Sequence, residues 1–108
     1  MAIYMSQFSY TNEAWQAMVK NPQDRSGVLK EQIEKMGGKL ICFYYSYGEY
    51  DGVTIFEFPD NVTSVAGILS ILLAGHLKEV KTTVLMTAGE TVKAMEKAKG
   101  LAYPAPKG

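Results

Sequence analysis

The sequence predicts an α+β fold of the ferredoxin-like, split βαβ type. Three observations carry this. Four strand-like runs alternate with helical patterns in the order β-α-β-β-α-β, followed by a terminal helix. The second and third runs are separated by only a few residues, which requires a hairpin and makes them antiparallel neighbours. Right-handed crossovers then place both major helices on one face of a four-stranded antiparallel sheet.

Each element has a local cause. Ala2 to Tyr10 is rich in aromatic and β-branched residues and reads as a strand, with Tyr4, Ser6, Phe8 and Tyr10 on one face and Ile3, Met5, Gln7 and Ser9 on the other. Thr11 is an N-cap for a helix from Asn12 to Lys20, whose stripe is Trp15, Met18 and Val19. Asn21-Pro22 interrupts that helix and is expected to restart a second one, with Pro22 at its first position. The second piece carries Leu29, Ile33 and Met36 at helical spacing, and Gly37-Gly38 ends it.

Lys39 to Tyr47 is the clearest strand and Gly52 to Phe58 the next. Between them, Gly48 is expected to supply a positive φ at the hairpin corner. Asp60 or Asn61 caps a helix from Val62 to Ala74, with Val62, Val65, Ala66, Leu69, Leu72 and Leu73 expected in the core. Gly75 stops it. Glu79 to Met86 forms the fourth strand, and Thr87 with Glu90 makes a capping box for a final helix to about Lys99. The reading is one domain over residues 1–100 and a Pro-rich tail over 101–108.

Composition excludes several function classes. The chain has 108 residues, 47% of them hydrophobic, and its 11 basic residues balance 11 acidic ones. That neutrality removes the footprint of a nucleic-acid binder, and no Lys/Arg run points to an anionic membrane surface. With Cys42 the single cysteine and His76 the single histidine, neither a disulfide nor a metal cluster is expected within one chain, and no cofactor is predicted. The start of the chain lacks a secretory pattern, so a cytoplasmic location is the expectation.

The sheet pattern predicts quaternary structure. On the second strand, alternation puts Leu40, Cys42, Tyr44 and Ser46 on one side and Ile41, Phe43, Tyr45 and Tyr47 on the other, with no charge on either. A sheet with one wet face alternates apolar with polar. The face without helices, about 16 Å by 19 Å or roughly 300 Å² in projection, is large enough to mark an interaction site. The expected partner is a second copy, sheet against sheet, with room for higher assembly.

The order of elements, the Gly48, Tyr50, Asp51 corner, the Gly37-Gly38-Lys39-Leu40 strand entry and the closing strand Val80-Lys-Thr-Thr-Val-Leu85 resemble the GYD domain family over roughly residues 2 to 90. The resemblance implies a dimeric α+β barrel in a family whose members are mostly uncharacterised. Wider relatives of that barrel include cofactor-independent monooxygenases, isomerases and chlorite-dismutase-like haem proteins, a link of fold that does not fix function. One departure is Gly52, where the family pattern has a large apolar residue. It is expected to loosen packing and to leave room for a cavity beside Tyr50 and Asp51.

The candidate site residues form two groups. Asp51, His76 and Tyr50 are the candidates for proton handling. The competing roles are turn support for Asp51, interface packing for Tyr50, and for His76 a cationic ring favoured by the preceding helix end. Tyr4, Phe8, Tyr10, Trp15, Tyr45 and Tyr47 form an aromatic set that suits a planar small ligand, or equally an aromatic core and interface. Without a paired acid and base, phosphate loop or nucleophile elbow, the sequence favours small-molecule binding without catalysis. The alternative is a cofactor-independent enzyme acting on a small aromatic or enolisable compound.

Overall fold

The computed structural model describes residues 1–108. In chain order the elements are β1 (Ala2–Tyr10), α1 (Asn12–Lys20), α2 (Ser26–Lys35), β2 (Lys39–Tyr45), β3 (Gly52–Phe58), α3 (Asn61–Leu73), β4 (Leu77–Leu85) and α4 (Ala88–Ala98). The strands form one antiparallel sheet in the order β2-β3-β1-β4, which is the ferredoxin-like arrangement. No helix is long and apolar enough to cross a membrane.

The caps follow the sequence. The Ala14 amide donates to Thr11 Oγ1 at 3.1 Å and the Thr63 amide to Asp60 Oδ1 at 2.7 Å. Thr87 and Glu90 satisfy each other's backbone amides at 3.0 and 3.1 Å. Gly37 and Gly75 take the left-handed conformation, at φ 81° and 80°, that ends α2 and α3.

Four local expectations are corrected. Pro22 does not open α2. The helix starts at Ser26, because Asp24 Oδ1 accepts from both the Ser26 amide (2.9 Å) and hydroxyl (2.6 Å) and folds the preceding turn around itself. The positive φ of the hairpin corner belongs to Tyr47 (φ 49°), not to Gly48. Strict alternation fails in β2, where a register shift between Leu40 and Cys42 places Leu40, Phe43 and Tyr45 on the helix-covered face and Cys42 and Tyr44 on the open one. In α3 the residues assigned to the core do not enter it: Ser64 and Gly67 face the sheet with Ile68 and Ile71 half-buried beside them, while Val62, Val65, Ala66, Leu69, Leu72 and Leu73 are exposed. Gly67 lies against Met36 and the Phe58 ring, so only small residues allow so close an approach.

The core fills one end of the space between sheet and helices. Tyr4, Ile33, Phe56 and Phe58 are buried together, with Leu29, Met36 and Leu40 packed against them. The Tyr4 hydroxyl donates to Asn61 Oδ1 at the start of α3. The sheet's open face has Ile3, Met5, Val53 and Ile55 at its centre and Lys39, Glu57, Glu79 and Lys81 towards its edges.

Candidate functional site

The β2–β3 corner is a hydrogen-bonded clasp. The Ser46 amide donates to the Asp51 carbonyl (2.9 Å), the Ser46 hydroxyl to the Tyr50 carbonyl (2.7 Å), and the Asp51 amide to the Phe8 carbonyl (2.8 Å). The Asp51 side chain reaches across to the end of β1. Its Oδ2 accepts from the Tyr10 amide at 2.9 Å and from the Trp15 indole N–H at 3.1 Å. One carboxylate oxygen therefore ties the hairpin corner to β1 and to α1. Tyr50 is half-buried, and burial with the Glu79 and Glu49 carboxylates holds its phenol above the ordinary value. The space expected beside Gly52 does not exist: a Cβ there would lie 2.3 Å from the Phe8 ring.

The cavity lies elsewhere, between the inner face of the sheet and helices α2 and α3. Its volume is about 270 Å³, and it is partly open to solvent. Phe8, Phe43, Phe56, Ile33, Ile68 and Ile71 give it apolar walls, and Ser6, Thr54, Gln32 and Ser70 add polar points. One end gathers Tyr10, Arg25 and His76, the chain's single arginine and single histidine among them. The Tyr10 and His76 rings stand 6.1 Å apart.

Electrostatics differ from the sequence expectation at His76. The neutral ring, not the cation, is favoured there. Partial burial, and then the Arg25 charge, hold the imidazole below its ordinary value. The Tyr10 phenol is pushed well above its ordinary value, mainly by burial and then by its hydroxyl contact with Tyr45. The sign of the His76 shift has a consequence for stability. A neutral imidazole is favoured in the fold, so the unfolded chain binds the proton more readily. The His76 contribution is complete above about pH 6.5 and is lost as pH falls through the lower folded-state value. Replacing His76 with glutamine is expected to flatten that part of the stability–pH curve, as urea titrations at a series of pH values would show. An unchanged slope would rule out His76 as its source.

The aromatic set predicted from sequence divides. Phe8 and Tyr10 line the cavity, while Trp15, Tyr45 and Tyr47 line an open groove with Met18, Val19 and Pro22 beside α1. The Tyr10 and Tyr45 hydroxyls meet at 3.2 Å and form the partition between the two spaces. Trp15 packs edge-on against Tyr10, with centroids 5.1 Å apart. Tyr4 belongs to the core at the far end. Of the proton-handling candidates, His76 lines the cavity; Asp51 and Tyr50 do not. Arg25 is the residue that sequence reading missed. Its one signal was being the sole arginine of a chain otherwise basic through lysine.

The family model described as GYD domain matches residues 4–95. No curated protein matches the sequence. Among solved structures, the chain is similar to TTHA0845 from Thermus thermophilus, at 16% identity and a TM-score of 0.53, over 82% of this chain and 96% of that one. It is similar to Atu4242 from Agrobacterium tumefaciens, at 15% identity and a TM-score of 0.50, over 82% and 94%. A third is an uncharacterized NIPSNAP domain protein from Burkholderia xenovorans, at 14% identity and a TM-score of 0.49, over 82% and 95%. At these identities the first two likenesses speak for the fold alone.

Proposed function

The chain belongs to the GYD domain family, and on that premise we propose that it is a homodimer that binds a small apolar or aromatic molecule carrying one anionic group, without catalysis of its own. The observation that carries the ligand reading is the cavity with apolar walls and the Arg25, His76 and Tyr10 end. A guanidinium matches a carboxylate in shape and charge, and its value rises where apolar walls reduce screening. Asp51 contributes as a brace, since its Oδ2 already accepts two N–H groups. The homodimer reading rests on the open sheet face, an apolar centre with a charged rim, which is the anatomy of an interface.

The test is a thermal-shift series with naphthoate and its neutral alcohol, naphthalenemethanol. Naphthoate is expected to raise the melting temperature and the alcohol to raise it much less. In Arg25→Ala the difference between the two should vanish, with a loss of affinity on the order of tenfold or more for a charge-assisted contact. Equal shifts for both probes, or a naphthoate response that survives Arg25→Ala, would overturn the ligand reading. A one-chain mass in sedimentation at micromolar concentration would overturn the dimer.

A further inference from the structure

Helix α3 contains no charged side chain from Asn61 to Leu73. Its sheet-facing side carries the small residues Ser64 and Gly67, with Ile68 and Ile71 towards the cavity. On the opposite side, Val62, Val65, Leu69 and Leu72 follow the alternating three- and four-residue spacing of a coiled-coil seam. Val62 is 81% exposed and Leu69 51%. A helix that is apolar all round belongs inside an assembly. This surface points away from the sheet, so it is distinct from the open sheet face.

A second surface of the same chain is also unpartnered. After Leu85 every residue is exposed except the half-buried Thr91. The radius of gyration is 17.8 Å, against about 13 Å for a compact chain of this length. The segment beyond β4 therefore stands off the domain as an arm. Yet α4 is well specified: it has a full capping box, and Ala88, Val92 and Met95 form one stripe with Lys93, Glu96 and Lys97 off it. A helix this short is marginal in water unless it packs on something.

We propose that the apolar stripe of α4 lies along the outer seam of α3 in a second copy of the chain, each copy giving one arm and receiving one. Lengths agree: α3 is about 20 Å long and α4 about 16 Å. Chemistry agrees as well, because α3 offers no charge to pair and the α4 charges fall at the rim. Reciprocal exchange covers both bare surfaces at once, whereas α3 packed on its own copy leaves α4 bare. The two helix contacts bury about 320 Å² per partner in projection, and side-chain relief carries the accessible area towards the lower end of specific interfaces, about 1,200 Å² in total. The two-residue connection Met86-Thr87 between β4 and α4 is a short hinge of the kind that favours exchange over folding back.

Disulfide trapping tests the contact independently of the sheet face. In a Cys42→Ser background, chains carrying Leu69→Cys and chains carrying Val92→Cys are refolded together and oxidised. A covalent pair formed from one chain of each kind is the expected product, since cysteines link only when their Cα atoms come within about 7 Å. Self-linking of Leu69→Cys chains alone, or no mixed pair, would overturn the proposal. So would a closed, single-chain link in a Leu69→Cys/Val92→Cys double variant. The variant Val92→Glu/Met95→Glu alters two exposed positions and should halve the mass of the assembly in sedimentation, with the urea midpoint falling only by the part that assembly contributes. An unchanged mass would count equally against the exchange.

Discussion

Replacing Asp51 with alanine is expected to lower the unfolding free energy by about 3 kcal/mol, from the loss of two hydrogen bonds to a charged acceptor. The Tyr10 amide and the Trp15 indole both donate to Asp51 Oδ2. Bonds of this kind are worth about 1.5–3 kcal/mol each. Half-exposure of Asp51 and Trp15 admits water and keeps the sum near the lower bound. Asn in the same place keeps one acceptor oxygen and should cost roughly half as much. Urea denaturation with an unchanged m-value measures the effect directly. Trp15 emission should shift to the red in the alanine variant as the indole loses its anchor. An Asp51→Ala protein as stable as the parent would mean that the carboxylate is not a brace.

Gly52→Ala is the second large effect, with an expected cost of about 2 kcal/mol from overpacking. The new Cβ would lie 2.3 Å from Phe8 Cζ and 2.8 Å from Cε1. Phe8 has little freedom to withdraw, because it is buried and packs edge-on against Tyr10 and Phe43, at centroid distances of 5.3 and 5.6 Å. The open direction for the ring is the cavity that it lines. Binding of naphthoate should therefore weaken along with stability. If there were space at the corner, the same substitution would stabilise by about 0.4–1 kcal/mol through the unfolded chain. The two outcomes differ in sign, so a single urea titration separates them.

These two residues also show where the sequence is informative. The fold was legible because local signals agreed with one another: caps at Thr11, Asp60 and Thr87, glycine stops at Gly37 and Gly75, and a short hairpin between two apolar strands. Such signals act over a few residues, and the sequence displays them directly. The bulge between Leu40 and Cys42 was not legible, because an inserted residue leaves no mark in an all-apolar run. The orientation of α3 was hidden for a related reason. Hydrophobicity alone put its leucines inward, but close packing over Met36 and Phe58 selects the smallest side chains instead.

What the sequence determined by itself was the order of elements, the family, and which residues carry chemistry of any kind: one histidine, one arginine, one cysteine and an unusual share of tyrosine. The tertiary structure alone decided which of them meet. Arg25, Tyr10 and His76 come from a loop, a strand end and a helix exit far apart in the chain, and they converge only because β1 and β4 pair and α2 crosses the sheet above them. Asp51 became a brace for the same reason, since its partners Tyr10 and Trp15 reach it only once β1 and β3 are neighbours. Local propensities are encoded residue by residue, but contacts across the sheet depend on register and on the volume of every side chain between them.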